Sequence, residues 1–234
     1  MALRMHIMQR IAYGATLLLA VTSYGGVFVD DFEDGVANGW RPVRGDWVMR
    51  DGAYVLEEAD GLDELQLAVL DSPWLITDAV ISFTVSFGDG AVGVERPLVL
   101  FRLEDDDNGY AFRLRGDEKS MDVGLIEARE YSNIRGDPKD VIDIGDPSSI
   151  VIEVDGNIFF VTYNDEAFLR VGDVDDHFTA GRIGIGALVV DAPIHFEEIR
   201  VEGDGVTQFA PDLLPVDATG RLALTWAELF VKSL

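Results

Sequence analysis

The chain has 234 residues, 48% of them hydrophobic and 13 of them Phe, with 43 acidic and 18 basic side chains and a formal charge of −25. That is apolar material for one large core, and it excludes a disordered acidic chain. The charge argues against nucleic acid and anionic membrane surfaces as partners, and the lack of Cys excludes disulfides and thiolate metal sites.

The chain opens with MALRMHIMQRIAYGATLLLAVTSYGG. Arg4 and Arg10 precede a short apolar run, Ile11 to Val21, and small residues, Ser23 and Gly25, follow it. This predicts a secretory signal over residues 1–25 and a bacterial-type protein that is secreted, periplasmic or on the cell surface. The run is short for a membrane span; the alternative is an uncleaved anchor.

Strand patterns follow. VFVDDF (27–32) comes first, then GDWVMRDGAYVLEE (45–58), a hairpin around Arg50-Asp51-Gly52, then LQLAVL (65–70). In AVISFTVSF (79–87), Phe83, Val85 and Phe87 alternate with Ser82, Thr84 and Ser86, so one face is core and the other is wet or ligand-binding. FRLEDDDNGYAFRLRG (101–116) is a hairpin whose acidic tip ends in Asn108-Gly109. Alternation puts Phe101, Leu103, Tyr110, Phe112 and Leu114 on one face and Arg102, Arg113 and Arg115 on the other.

MDVGLIEA (121–128), a weaker pair near 131–144, the hairpin SIVIEVDGNIFFVTYND (149–165), EAFLRVGD (166–173), RIGIGALVV (182–190) and IHFEEIRVEG (194–203) complete the series. Short strands at regular spacing predict an all-β, two-sheet antiparallel β-sandwich over residues 26–205. Residues 206–234 are expected to be a linker, broken at Pro211 and Pro215. A short amphipathic tail follows, with Leu222, Trp226, Leu229 and Phe230 at helical spacing.

Four stretches together resemble the concanavalin A-like lectin/glucanase superfamily, in its laminin-G-like and 3-keto-disaccharide-hydrolase-like forms. They are DDFEDGVANGWRPVRGDWVMRDGAYVLEE (30–58), FRLEDDDNGYAFRLRG (101–116), IEVDGNIFFVTYNDEAFLRVGD (152–173) and HFTAGRIGIGALVVDAPIHFEEIRVEG (177–203). The resemblance implies a jelly roll with its terminal strands side by side. It departs from the superfamily's closing F-D-D at Phe196-Glu197-Glu198.

If the terminal strands pair in that way, Asp30, Asp31, Glu33 and Asp34 could meet Glu197 or Glu198 around a structural Ca2+, which takes six to eight oxygen ligands. The alternative is a solvated acidic edge that prevents sheet-to-sheet aggregation. The turn Asp105-Asp106-Asp107-Asn108 resembles half of a calcium loop, but aligning Gly109 with the loop glycine leaves Arg115 where a bidentate Glu is needed. It is otherwise a polar hairpin tip.

Sugar recognition needs exposed aromatic faces and a few directed polar groups. Trp74, Arg102, Asp105, Asn108, Tyr110, Arg113 and Tyr131 are the candidates, Trp74 because it follows Pro73 in a loop-like stretch; Tyr110 reads either as core or as the rim of the concave sheet. Trp40 and Trp47 are expected in the core. The superfamily's retaining glucanases use E-x-D-x-E or E-x-D-x-x-E; here Glu153-Val154-Asp155-Gly156-Asn157-Ile158 lacks the third acid. His177 and His195 stand without metal-ligand spacing.

The sequence therefore predicts a non-catalytic carbohydrate-binding module, lectin-like and calcium-stabilised, whose partner is a glycan or polysaccharide. A hydrolase of modified disaccharides and an adhesive module with a protein partner are the alternatives.

Overall fold

A computed structural model describes residues 25–61, 64–138 and 147–209. The predicted signal segment, the tail from residue 210 and part of the weak pair near 131–144 lie outside them. The strands in chain order are β1 (Gly26–Asp30), β2 (Trp40–Arg44), β3 (Asp46–Arg50), β4 (Ala53–Glu58) and β5 (Gln66–Leu70). Next come β6 (Ala79–Phe87), β7 (Pro97–Leu103), β8 (Gly109–Arg115), β9 (Ser120–Glu127) and β10 (Glu130–Pro138). Last are β11 (Ser148–Asp155), β12 (Ile158–Tyr163), β13 (Glu166–Gly172), β14 (Arg182–Ala187) and β15 (Ile194–Gly203).

All pairings are antiparallel and build two sheets. The back sheet has the order β13-β12-β11-β6-β15-β4-β3, with β1 also on β15; the front sheet runs β10-β9-β8-β7-β14-β5-β2. The long strand β15 pairs with β6 along one edge. On its other edge it takes β4 at Ile194–Phe196 and β1 at Ile199–Gly203. The terminal strands are therefore neighbours, as the resemblance implies. Among the described residues no helix is long and apolar enough to cross a membrane.

Strand periodicity places the core. Ile81, Phe83 and Val85 of β6, Ile150, Ile152 and Val154 of β11, and Phe112 and Leu114 of β8 meet between the sheets. Ser82 and Thr84 lie on the half-exposed outer face of the back sheet. Trp40 is buried in the core, and Trp47 packs against it. The strand β2 has no strand signature because Pro42 interrupts it; it sits at the edge of the front sheet, where a missing N–H is tolerated.

Alternation fails at one point of the acidic hairpin. Arg102 has φ 49°, and the β14–β7 register slips between Arg182 and Gly184. This bulge turns the next side chain over. Phe101 enters the inter-sheet core, whereas Leu103 joins a second apolar cluster on the outer face of the front sheet, with Leu65, Leu67, Leu98, Leu100, Ala111 and Ile126.

Residues 206–209 pack on the sandwich. Gln208 bonds both backbone groups of Val29, and Phe209 stacks on Phe28 at 5.2 Å.

Candidate functional site

The outer face of the front sheet carries a cleft of about 420 Å³ lined by Arg44, Glu64, Leu65, Arg96, Arg113, Ala128, Arg129, Glu130, Tyr131, Leu188 and Val189. That volume lies in the range of ligand sites, roughly 300–1,000 Å³. The elements responsible are β8, β9 and β10. Arg113 and Asp122 face each other across the β8–β9 ladder, and Tyr131 of β10 lies opposite Ile126.

Asp122 is fully buried. Its carboxylate accepts from Arg113 Nε at 3.0 Å and Nη2 at 2.9 Å, and also from the Tyr131 hydroxyl; Arg115 Nε lies 3.3 Å away. The fork is bidentate, the strongest geometry for such a pair. The Arg113 guanidinium also sits 4.0 Å from the centre of the Tyr131 ring, a cation–π contact. Burial first, then the Asp122 carboxylate, pushes the Tyr131 hydroxyl far up. It therefore stays a donor at physiological pH.

The Tyr131 ring occupies the space above Gly124. A Cβ at position 124 would come within 2.6 Å of the ring and 2.2 Å of the Ser132 carbonyl oxygen.

The acidic hairpin tip forms a rim of ion pairs. Arg41 holds Asp71 and Asp106, and Arg182 reaches the same two acids. Arg44 and Arg129 both hold Asp107, at 3.0 and 2.9 Å. Hydrogen bonding to Arg129, against some burial, holds the Asp107 carboxyl below its ordinary range. Asp105 accepts from the Asp107 N–H and the Asn108 amide, and Asn108 Oδ1 accepts from the Ala128 N–H. The turn's polar atoms are thus spent on closing the hairpin and tying it to β2 and to the β9–β10 turn.

The structure separates the predicted sugar-binding residues. Arg113 and Tyr131 meet in the cleft. Asp105 and Asn108 lie in the hairpin tip and are engaged there. Trp74, Arg102 and Tyr110 are buried, Tyr110 in the core as one of its two readings had it. Trp74 is only 8% exposed; it packs on Phe28 and donates to the Thr207 carbonyl at 3.0 Å. Arg102 is 2% exposed and ties loops together through Thr77 O, Phe178 O and Asp78. Tyr110 packs against Phe101 and Phe159 and donates to Asp173 at 2.5 Å.

The residues missed from sequence are Arg44, Arg96, Arg129 and Asp122. Only Asp122 carries a local signal: a carboxylate inside an apolar strand needs a charged partner.

Of the acids named for calcium, Asp30, Asp31 and Asp34 line one cleft after β1, and Glu33, Glu197 and Glu198 do not line it. Both oxygens of buried Asp30 accept hydrogen bonds, from Phe32 N–H and Trp40 Nε1. Burial raises the Asp30 carboxyl to about 6, against those two bonds and with help from Asp34 and Asp31. Asp31 and Asp34 close their own turns, accepting from the N–H groups of Glu33 and Val36. Glu33 lies beside Gly52. Glu197 accepts from Ser86 at 2.6 Å, and Glu198 lies among Ser82, Thr84 and Ser149 on the outer face of the back sheet.

Asp173, Asp175 and His177 do converge. Asp173, however, already receives the Tyr110 hydroxyl, the N–H groups of Asp175 and His177, and His177 Nδ1. Three of these donors reach Oδ2 and one, the Asp175 N–H, reaches Oδ1. Burial pushes the Asp173 carboxyl up, but Tyr110 and His177 outweigh it and hold it at about 2. Two carboxylates and an imidazole fall short of the six to eight oxygen ligands of calcium.

No protein-family model and no curated protein matches the sequence. Solved structures do. The carbohydrate binding module CBM66 from Bacillus subtilis is similar with a TM-score of 0.60 at 22% identity, over 71% of this chain and 96% of that one. The exoplasmic/lumenal domain of VIP36, in its Ca2+/Man-bound form, gives 0.57 at 11% identity, over 77% and 90%. A native glycosidic hydrolase gives 0.58 at 12%, over 79% and 99%. At these identities the likeness is one of fold. The chain shares with these structures a two-sheet, antiparallel β-sandwich fold.

Proposed function

We propose that the protein is an exported, non-catalytic module that binds a glycan in the front-sheet cleft. One observation carries this reading. On the outer face of the front sheet, Arg113, Tyr131 and Asp122 form a fixed polar cluster beside an apolar floor of Leu65 and Leu188. Sugars present both hydroxyl edges and apolar ring faces, and a site with directed polar groups beside apolar surface suits both. The fold likeness to a carbohydrate binding module and to a lectin domain supports the reading.

Calcium is a secondary part of the proposal. Its place would be the turn after β1, where Asp30, Asp31, Asp34 and Asn38 line a separate cleft. Binding is tested on a broad glycan and polysaccharide panel, with calcium and then with chelator. Saturable binding to a panel member is the expected result, and binding that survives chelation shows that it does not depend on calcium. No binding to any panel member overturns the proposal.

A further inference from the structure

Arginines outnumber acids among the residues that line the cleft. The chain carries −25, yet Arg44, Arg96, Arg113 and Arg129 line the cleft against two acids, Glu64 and Glu130. The acids that fix these arginines are shared. Asp107 serves both Arg44 and Arg129, and Asp122 serves both Arg113 and Arg115.

Donor capacity is therefore left over. Arg113 gives Nε and Nη2 to Asp122, and its Nη1 has no hydrogen bond among the described residues. Arg96 is less satisfied still. Its Nε is buried and has no hydrogen-bond partner among the described residues, and its ion-pair contact, with Asp117, is 3.7 Å, beyond hydrogen-bond length. A buried guanidinium donor without an acceptor is costly, and the cost is relieved when an acceptor from solvent or a ligand reaches the group.

We infer that the cleft takes an acidic saccharide. The carboxylate or sulfate of the sugar is received by Arg96 and by Arg113 Nη1, and its ring lies over Leu65 and Leu188. The inference rests on the glycan-binding reading and narrows its substrate class. Shared anionic chemistry leaves two sources, a uronate or a sulfate ester. Non-specific attraction does not explain such binding, because a strongly acidic protein repels polyanions.

The test titrates the full-length protein with polygalacturonate and its methyl ester, and with dextran sulfate and dextran. The same titrations are run on Arg96→Gln, whose folding is checked by circular dichroism and a thermal melt. Arg129→Gln, at a more exposed position, is a second variant. Binding of the acid but not its ester supports the inference and identifies a uronate; binding of dextran sulfate but not dextran supports it and identifies a sulfate. In either case Arg96→Gln weakens binding about tenfold to a hundredfold, as loss of a charged hydrogen bond does.

Equal binding of charged and neutral partners, or an unchanged affinity in a folded Arg96→Gln, overturns the inference and leaves glycan binding standing. Hits on the broad panel confined to neutral glycans do the same. Failure of every glycan overturns both.

Discussion

Replacing Asp122 by Ala removes the one carboxylate that holds Arg113, Arg115 and Tyr131 together. Asp122 is fully buried and Arg113 nearly so, so the change strands a guanidinium that has lost two hydrogen bonds of 3.0 and 2.9 Å. Breaking a buried pair from one side costs about 3–5 kcal/mol. A chain of this size loses roughly 2–4 °C of melting temperature per kcal/mol, so a drop of about 6–20 °C is expected.

Arg115 suffers less, because Glu118 holds it at 2.7 Å. A double replacement, Asp122→Leu with Arg113→Met, removes both charges together and should recover most of the loss. Urea unfolding followed by tryptophan fluorescence, with a calorimetric melt, reads both numbers. A loss below about 1 kcal/mol for Asp122→Ala, or a double variant as unstable as the single one, would show that this cluster does not anchor the sheet.

Two further predictions concern packing and pH. Gly124→Ala places a methyl 2.6 Å from the Tyr131 ring and 2.2 Å from a backbone oxygen. It should destabilise the fold by about 1–3 kcal/mol and weaken glycan binding by displacing Tyr131; unchanged stability and affinity in the variant would contradict the packing argument. Asp30 titrates at about 6 in the folded chain against 3.8 ordinarily, so the folded state holds its proton longer than the unfolded state. Its contribution to stability is present below about pH 4 and is lost as pH rises through 6, by about 3 kcal/mol at most. Asp173, held at about 2, works the other way and loses its contribution as pH falls below about 4. Asp30→Asn should therefore flatten the stability profile between pH 4 and 6, and an unaltered slope would show that Asp30 is not the group titrating there.

Much of the architecture was legible because a half-buried strand must alternate. AVISFTVSF and the hairpins at 45–58 and 149–165 show that period plainly, and they became β6, β3–β4 and β11–β12. The strand β2 was hidden because Pro42 breaks its signal, and β7 misled because a bulge at Arg102 reverses the faces after it. Bulges depend on how neighbouring strands register, which local composition does not encode.

The candidate site was less legible. Arg113 and Tyr131 are eighteen positions apart along the chain, and Arg96 and Arg44 are further still from Tyr131, so no spacing links the four. The same run of acids at 104–107 that suggests an ion site carries equal negative charge whether it faces solvent or arginines. Which neighbours it meets is fixed by strand order.

By itself the sequence determined an acidic, cysteine-free, all-β sandwich, because periodicity, turn residues and net charge are local or additive properties. Tertiary structure decided which charges survive as available ones. Folding brought Arg41, Arg44, Arg129 and Arg182 onto the acidic rim and sank Arg102 between loops. It left Arg96 short of a partner in the front-sheet cleft. Pairing acts over a few ångströms in space, and only the completed β-sheets set those distances.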